Sequence, residues 1–582
     1  MAVMMRSRLA SMGSALPSLL FLAVFFCVPV AEILMNSAFD SAGHLSALQF
    51  ERLAGNSVYA RVLSNTFLIS FLTALGCVVL GYPIAYFLSR LPEGARGRWL
   101  VWLLIPFWTS YLVKTFAWIL LLSRTGVFGT FLVWSGLDAT PSALAPSMGG
   151  VLVGMIHGML PLAVMTLLPI MQGIGSQYTL AAETLGASRT ESFFTVYLPL
   201  SMPGVAAAAL LVFITSLGFF IVPALLGTPA DTMIAQLVIA SILELFNVHF
   251  AGALSVLLLA CAVVVFLLYD RLVGLSTLGG GDAARPPGTS RLIRVLVVVG
   301  RACSRLGAFL GALRLAGPRT AAASERRAPG LRLYAWLAVL FLLLPIVVIL
   351  PIAFTDSSFL AFPPTGFSLR WLEAFFDSPV WRAALLRSLG VAALTAIGSV
   401  VLGFGAALSL VRFSPALAKT VFAFMIAPLI VPRIVTAVGL FYLYSRIGLA
   451  GTNAGLVIGH MVLAIPYVVV TMAAALKNFD WRLVDAALTL GASPARRLTT
   501  VLLPLLKPSL IASALFAFLV SFDELTIAIF VSGGLKTTLP KQMWDDMLLA
   551  ANPMLAAVSF ILVAAITLMV LFLSFLRRNR EQ

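Results

Sequence analysis

The sequence has 582 residues, of which 61% are apolar (AVILMFWYC) and only 10% are charged. Soluble domains are about half apolar and a quarter charged, so this composition excludes a water-soluble globular enzyme. The net charge of +16 does not by itself indicate nucleic-acid binding, because membrane proteins concentrate Lys and Arg on their cytoplasmic side. Apolar runs of about 20 residues recur along the chain and predict membrane-spanning helices, not barrel strands.

These runs predict an all-α, polytopic membrane protein with twelve spans in two sets of six. The sets define a first repeat (1–270) and a second repeat (333–582), and the basic stretch 271–332 predicts a linker between them. The predicted spans are Leu16–Ala38, Leu63–Leu88, Trp99–Leu122, Met148–Met171, Val205–Leu226, Phe250–Tyr269, Leu333–Phe354, Leu385–Val411, Val421–Tyr444, Ala454–Leu476, Leu510–Val531 and Met554–Phe575.

Both sets of spans derive from one duplicated unit. The first span also fits a secretory signal sequence, but its Pro29 and Asp40 recur in mid-chain as Pro345 and Asp356, so we expect a retained span. Further residues of the first set recur in the second set, 322 positions later as far as Gly129 and 305 positions later beyond it. Because each repeat has an even number of spans, the repeats are predicted to be parallel in the membrane.

Counts of Lys and Arg in the loops predict the orientation. With a cytoplasmic N-terminus, the inside segments other than the linker hold sixteen of these residues and the outside loops hold nine. The linker adds eleven arginines, so we expect it to be cytoplasmic together with both termini. Its stretch from Arg291 to Arg305 fits either an interfacial amphipathic helix on anionic lipid or a disordered basic tether.

Several kinds of chemistry find no support in the sequence. The four cysteines and four histidines lie far apart without CxxC or HExxH spacing, so no metal site or disulfide framework is predicted. No lysine follows a glycine, so a P-loop is absent, and any ATP that drives the protein must be bound by another chain. No nucleophile–base pair has recognisable spacing, and we predict that the chain is not an enzyme.

One loop in each repeat retains 13 identities over 25 positions, which begin at Ala181 and Ala486. Each loop predicts a helix, a break and a second helix. Gly186 and Gly491 suit a left-handed C-cap of the first helix, and Ser188 and Ser493 can cap the second. A re-entry loop with only a structural role would not explain why these loops are the most similar part of the repeats, so we infer a contact surface. A leucine–proline pair is then predicted to break each chain at the membrane: Leu198-Pro199 and Leu503-Pro504.

These loops resemble the EAA–Gly–LP signature of bacterial ATP-binding-cassette importer permeases, whose coupling helix docks on a separate ATPase subunit. Both copies depart from the signature at its acidic position, where Leu180 replaces Glu in the first and Asp485 substitutes in the second. Within the loops, about 173–203 and 477–508, the resemblance implies these coupling residues: Ala181, Ala182, Gly186, Leu198, Pro199, Asp485, Ala486, Ala487, Gly491, Leu503 and Pro504.

The resemblance extends over nearly all of the chain outside the linker. The first repeat is similar to the first permease of spermidine/putrescine importers in LIPFWTSYLVKTFAW (Leu104–Trp118), and the second to the partner permease in SFDEL (Ser521–Leu525). It implies a bacterial inner-membrane permease that imports a small solute, favouring a polyamine-like or other small organic cation. It also implies two copies of an ATPase subunit, a periplasmic binding protein and no cofactor in this chain. Fused ferric-iron or thiamine permeases and a proton-coupled secondary transporter are the alternatives.

Four charged residues fall within predicted spans: Asp523, Glu524, Lys114 and Arg433. Charges at bilayer depth normally face a cavity or one another. The two acids could therefore line a path for a polycation, or they could pair with the two bases and hold helices together. Both interpretations remain open from the sequence.

Other polar residues carry weaker signals. His157 and His460 lie on spans, where we expect interhelical hydrogen bonds. Three acids lie in outer segments, where they could meet an arriving substrate or simply be solvated: Glu244, Asp545 and Asp546.

Overall fold

The computed structural model describes residues 13–39, 44–124, 126–136, 143–187, 189–272, 305, 329–360, 362–534, 536–549 and 552–578. Across these residues the chain is helical, and its only β-structure is two isolated bridges, Phe39–Leu45 and Thr355–Phe367. The prediction of an all-α polytopic fold is confirmed. Asp40, Ser188 and nearly all of the predicted linker lie outside the described residues.

The first repeat contains thirteen α-helices in the described ranges, with a π-helical turn between α9 and α10 and a 3₁₀ helix at Pro229–Asp231. They are α1 (Gly13–Ala38), α2 (Leu48–Gly55), α3 (Ser57–Ser89), α4 (Glu93–Trp108), α5 (Tyr111–Leu122), α6 (Val127–Trp134), α7 (Met148–Gln172), α8 (Ser176–Thr184), α9 (Arg189–Ser192), α10 (Leu198–Leu217), α11 (Ile221–Leu226), α12 (Ile234–Leu243) and α13 (Val248–Leu272).

The second repeat follows the same order after the linker, except that the described residues contain no counterpart of α6. Its described helices are α14 (Pro329–Ala353), α15 (Arg370–Asp377), α16 (Pro379–Arg412), α17 (Pro415–Ile430), α18 (Arg433–Ile447), α19 (Asn453–Lys477), α20 (Arg482–Thr489), α21 (Pro494–Arg497), α22 (Leu503–Phe522), α23 (Thr526–Val531), α24 (Leu539–Leu549) and α25 (Pro553–Arg578).

The number of spans differs from the predicted twelve. Among the described residues, ten helices are long and apolar enough to cross a membrane, or up to eleven if a bent pair counts as one. That pair is α17 and α18, which meet at 93°.

Four of the predicted continuous spans are broken in the structure. The third span of each repeat breaks at Thr109-Ser110 and at Val431-Pro432, all with extended backbone ψ angles. Pro432 disfavours helical backbone at the residue before it, and the Ser110 side chain accepts a hydrogen bond from the Leu112 N–H to begin a new helix. The fifth span of each repeat breaks after α10 and after α22, leaving the short helices α11 and α23.

The chain divides into two compact units. Unit one comprises Met1–Ala60, Ile234–Ala260 and Leu369–Leu555. Within it, the first helix packs on helices of the second repeat, where Leu22 and Phe26 join a core with Met425 and Val462. The Ser18 hydroxyl donates to the Leu402 carbonyl at 2.6 Å.

Unit two comprises Arg61–Met233, Cys261–Ser368 and Ala556–Gln582. Here the first helix of the second repeat, α14, packs on helices of the first repeat. The Tyr334 hydroxyl donates to the Leu80 carbonyl at 2.8 Å, and the rings of Trp99 and Trp336 lie 4.6 Å apart. Leu342 belongs to the same buried core as helices α3 and α7.

The compact units and the sequence repeats therefore have different boundaries. The repeats describe where the sequence is duplicated, whereas the units describe which helices pack together. In each unit the opening helix of one repeat is held by helices of the other. The repeat boundaries 1–270 and 333–582 stay a prediction.

Candidate coupling loops and a buried polar cluster

The first predicted loop contains a helix end with a positive-φ glycine. Helix α8 ends at Thr184, and Gly186 adopts φ +94°. The Gly186 N–H donates to the Glu183 carbonyl at 3.0 Å and the Ala187 N–H to the Ala182 carbonyl at 3.0 Å. These two bonds form a Schellman motif, so the predicted left-handed C-cap is confirmed.

The second loop repeats this geometry. Helix α20 ends at Thr489, Gly491 adopts φ +81°, and the Ala492 N–H donates to the Ala487 carbonyl at 2.9 Å. The Ser493 hydroxyl then accepts a hydrogen bond from the Arg496 N–H at 3.3 Å, with Pro494 at the first helical position. Ser493 therefore caps α21 as predicted.

Each loop exposes a leucine immediately before its glycine. Leu185 is 89% exposed and Leu490 is 87% exposed, whereas core leucines of the spans are nearly inaccessible. The same apolar side chain is thus exposed at the same position of both duplicated loops. The two tips therefore present matching apolar surfaces.

The predicted chain breaks at the leucine–proline pairs are wrong. Helices α10 and α22 start at Leu198 and Leu503 without interruption, after π-helical turns at Phe193–Tyr197 and Leu498–Leu502. The Leu198 and Leu503 N–H groups bond five residues back, to the Phe193 and Leu498 carbonyls. This wider turn carries the helix into Pro199 and Pro504, which lack an N–H donor.

The structure brings the predicted coupling residues of each loop together, but it does not test their role. Both alanine pairs lie near the end of the first helix, and both leucine–proline pairs lie at the start of the membrane helix. The exposed members are Ala181, Gly186, Asp485, Ala486, Gly491 and Pro504, and the half-buried members are Ala182, Leu198, Pro199, Ala487 and Leu503.

The buried polar cluster lies at the break between α22 and α23. Glu524 is 1% exposed, and its Oε2 accepts hydrogen bonds from the Ile527 N–H at 2.8 Å and the Ala528 N–H at 3.3 Å. The carboxylate thus caps α23. The sequence predicts that Asp523 and Glu524 lie within a continuous span. In the structure they lie at a helix break, so this prediction is wrong.

His460 lies beside this carboxylate, which the sequence did not indicate. Its Nδ1 is 2.8 Å from the Ser521 hydroxyl, and its Nε2 is 3.6 Å from Glu524 Oε2. The bond links α19 to α22, and the His157 Nε2 lies 3.1 Å from the Leu342 carbonyl to link α7 to α14. The predicted interhelical bonding of both histidines is confirmed.

The two bases have different surroundings. Arg433 is the first residue of α18, and its positive charge attracts the Glu524 carboxylate. Lys114 lies in unit two, where its Nζ donates to the Pro106 carbonyl at 3.2 Å and lies 4.0 Å from the centre of the Tyr111 ring. Pairing of Lys114 with either acid stays a prediction.

The outer acids are mostly engaged with neighbours on their own helix. Asp545 binds the Lys541 ammonium at 2.5 Å, and Asp546 accepts from the Gln542 amide at 2.9 Å. Burial raises the pKa of Asp546, and the bond from Gln542 opposes that shift. Glu244 is exposed.

Two further polar groupings were missed in the sequence. In unit one, Oε1 of the buried Glu32 lies 2.7 Å from Nη1 of Arg446, and the Tyr442 hydroxyl donates to the Val248 carbonyl. In unit two, Arg90 lies against the rings of Tyr86 and Tyr197 at the C-terminal end of α3. Each grouping joins residues that lie far apart in the chain, so only the fold brings the partners together.

Among the described residues, no group of three or more His, Cys, Asp or Glu side chains could hold a metal ion.

Comparison with known proteins identifies related transport proteins. A family model described as "binding-protein-dependent transport system inner membrane component" matches residues 399–581. The spermidine/putrescine transport system permease protein PotB of Salmonella typhimurium (strain SL1344) is 33% identical over 214 residues, which are 37% of this chain and 75% of that protein. The putrescine transport system permease protein PotI of Escherichia coli (strain K12) is 33% identical over 233 residues, or 39% and 83% of the two chains.

A solved structure also matches part of the chain. A bacterial alginate ABC transporter, crystallised in complex with an alginate pentasaccharide-bound periplasmic protein, has 20% identity and a TM-score of 0.39. The match covers 44% of this chain and 91% of that chain. The sequence relatives confirm the resemblance on which the loop residues were assigned.

Proposed function

The chain belongs to the family of binding-protein-dependent transport system inner membrane components, and from that premise we propose that it imports a polyamine-like organic cation, driven by ATP hydrolysed on separate subunits. It is a multi-pass inner-membrane permease of an ATP-binding-cassette system. The solute would move from the periplasm, where a binding protein delivers it, to the cytoplasm.

The paired loops are the observation that carries this proposal. Two helix ends of the same geometry, each with an αL glycine and a leucine almost fully exposed, suit two copies of one partner. Since the sequence contains no P-loop, that partner would supply ATP binding. Asp485 would give the second loop an ionic contact, whereas Leu180 gives the first loop only an apolar one.

The buried carboxylate at the break before α23 supports a cationic solute. Glu524 offers negative charge in a low-dielectric setting, where an ammonium group interacts with it more strongly than in water. The relatives named for spermidine and putrescine favour the same solute class. Ferric-iron or thiamine transport is the second candidate, and it is supported only by the predicted arrangement of two sets of six spans in one chain.

Uptake assays test the substrate and the energy source. Proteoliposomes are prepared with the chain in the membrane, the ATPase and ATP inside and the binding protein outside. They should accumulate labelled putrescine only when the enclosed ATP is present. Collapse of the proton gradient at constant ATP should leave uptake unchanged. Uptake lost on collapse would indicate a secondary transporter, and uptake of thiamine or ferric iron in place of putrescine would replace the proposed solute.

Neutral variants separate a substrate role from ion pairing. Asp523→Asn with Glu524→Gln should lower putrescine uptake while abundance stays normal, because Gln can still accept from the Ile527 N–H. If the acids mainly neutralise Lys114 and Arg433, the variant should instead lose protein, and replacing a base with Gln should restore it. Normal abundance with normal uptake would reject both roles.

Reporter fusions test the proposed orientation. Fusions after Gly186, after Gly491 and within 271–332 should all report the cytoplasm, with both termini on that side. A periplasmic signal from either loop would contradict docking of two ATPase copies.

A further inference from the structure

The guanidinium group of Arg90 lies at the junction between the C-terminal end of α3 and the first coupling loop. Arg90 follows α3, and its Cζ lies 5.2 Å from the centre of the Tyr86 ring and 5.3 Å from that of the Tyr197 ring. The two rings meet edge to face at 5.0 Å. The Ser89 hydroxyl lies 3.3 Å from the Tyr197 hydroxyl. Arg90 therefore bridges α3 and the π-helical turn Phe193–Tyr197.

Further ring and hydroxyl contacts lie within and across this junction. The Phe193 ring stacks on Tyr197 at 5.9 Å and meets Tyr86 edge to face at 5.3 Å. The Tyr82 hydroxyl lies 2.8 Å from the Ser201 hydroxyl at the start of α10. Because the π turn directly follows α9, its placement sets where the coupling helix lies.

The second repeat lacks this arrangement at the matching positions. Leu408, Leu498 and Leu502 pack in one apolar cluster with helices α16 and α19. Arg90 and Arg412 are both exposed, but the positions that hold Tyr86 and Tyr197 beside Arg90 hold leucines in the second repeat. Apolar packing is non-directional, whereas ring-edge and cation–π contacts specify orientation. The matched pairs are Tyr82 and Phe404, Tyr86 and Leu408, Arg90 and Arg412, Phe193 and Leu498, Tyr197 and Leu502, and Ser201 and Leu506.

We propose that Arg90 is a positioning residue for the first coupling loop, and that its clamp on Tyr86 and Tyr197 makes this loop move together with α3. The inference rests on the proposed ATPase coupling and deepens it. The first loop has Leu180 where the second has Asp485, so it lacks a carboxylate at that position. Orientation of the first loop is supplied from inside the permease instead.

The test measures labelled putrescine uptake and ATP hydrolysis together in proteoliposomes of the complete transporter. Arg90→Gln should lower solute moved per ATP by about three- to tenfold, because two ring contacts to the cation are lost. The same change at the matched position, Arg412→Gln, should leave the ratio unchanged. Arg90→Lys should restore part of the loss, because an ammonium also binds aromatic faces. Bound ATPase and the apparent KM for putrescine should not change.

Each result decides a separate point. No ATP-dependent uptake by the unmodified transporter would overturn the proposed function, and the clamp with it. Normal uptake by that transporter with an unchanged ratio in Arg90→Gln, or an equal loss in Arg412→Gln, would overturn the clamp alone. If Arg90→Gln does not reach the membrane, Tyr86→Leu with Tyr197→Leu decides, since these are the residues of the second repeat. That double variant should show the same lowered ratio.

Discussion

The coupling loops and the helix breaks are both duplicated, yet only the loops keep the same key residues, an αL glycine and an exposed leucine, in both copies. Gly186 and Gly491 have nearly the same backbone and the same exposed surroundings. At the breaks after α10 and α22, the backbone pattern is again shared, but Phe219 stands where the second repeat has Glu524. Like surfaces are retained where two like partners are expected, and the breaks are free to diverge.

The two breaks differ in how the backbone N–H groups at the start of the following short helix are paired. In the second repeat, Glu524 accepts from the Ile527 and Ala528 N–H groups, which open α23. In the first, Pro223 stands at the position of Ala528 and has no N–H to satisfy. Phe219 instead packs edge to face on Tyr111 at 5.0 Å. Because Pro223 has no N–H, the first repeat has one fewer backbone donor to pair at this break, whereas in the second repeat Glu524 accepts from the Ala528 N–H.

The largest expected effect comes from breaking the carboxylate cap. Glu524→Ala should destabilise the protein by about 2–4 kcal/mol, because it leaves buried N–H groups unpaired and removes a charge that complements Arg433. Phe219→Ala should cost less, about 1–2 kcal/mol, since only a partly buried ring contact is lost. Thermal unfolding in nanodiscs measures both. Equal losses would mean that the breaks do not differ as described, and Glu524→Gln, which keeps the acceptor, is the control.

The loop glycines should give the next largest effect. Gly186→Val and Gly491→Val should each cost at least about 1 kcal/mol in local backbone energy and lower uptake severalfold. A Cβ at either site meets no atom within 4 Å, so the effect is one of conformation and not of crowding. Gly448 is a matched control, with φ +73° and equally open space at the end of α18. If Gly448→Val lowers uptake per molecule as much as the loop variants do, the loops have no special role.

Removal of the cap in the second loop should have the smallest effect. Ser493→Ala loses one exposed hydrogen bond of 3.3 Å and should destabilise α21 locally by about 0.5–1 kcal/mol. Uptake should fall less than twofold, because Pro494 still favours the helix start. Thr452→Ala, which removes the cap at Gly455 N–H outside the loops, is the control. A tenfold loss for Ser493→Ala alone would show that the hydroxyl has a role beyond capping.

The helix caps of the loops could be predicted from the sequence. Gly186, Gly491 and Ser493 adopt the predicted conformations because the αL C-cap and the N-cap depend on a few neighbouring residues. The leucine–proline pairs were misread, because proline can be accommodated in a helix when the preceding turn widens to a π-helical bond. The four span breaks were also not predicted, since hydropathy measures apolar length and not backbone continuity.

The sequence by itself determined the all-α membrane class, the duplicated loops and the family, because these depend on composition and on residues close together in the chain. Only the tertiary structure decided that α1 packs with the second repeat, that His460 lies beside Glu524 and that Arg90 lies on Tyr197. Each of these contacts joins residues dozens to hundreds of positions apart. Such pairs leave no mark in local periodicity, and they form only when packed helices bring their side chains together.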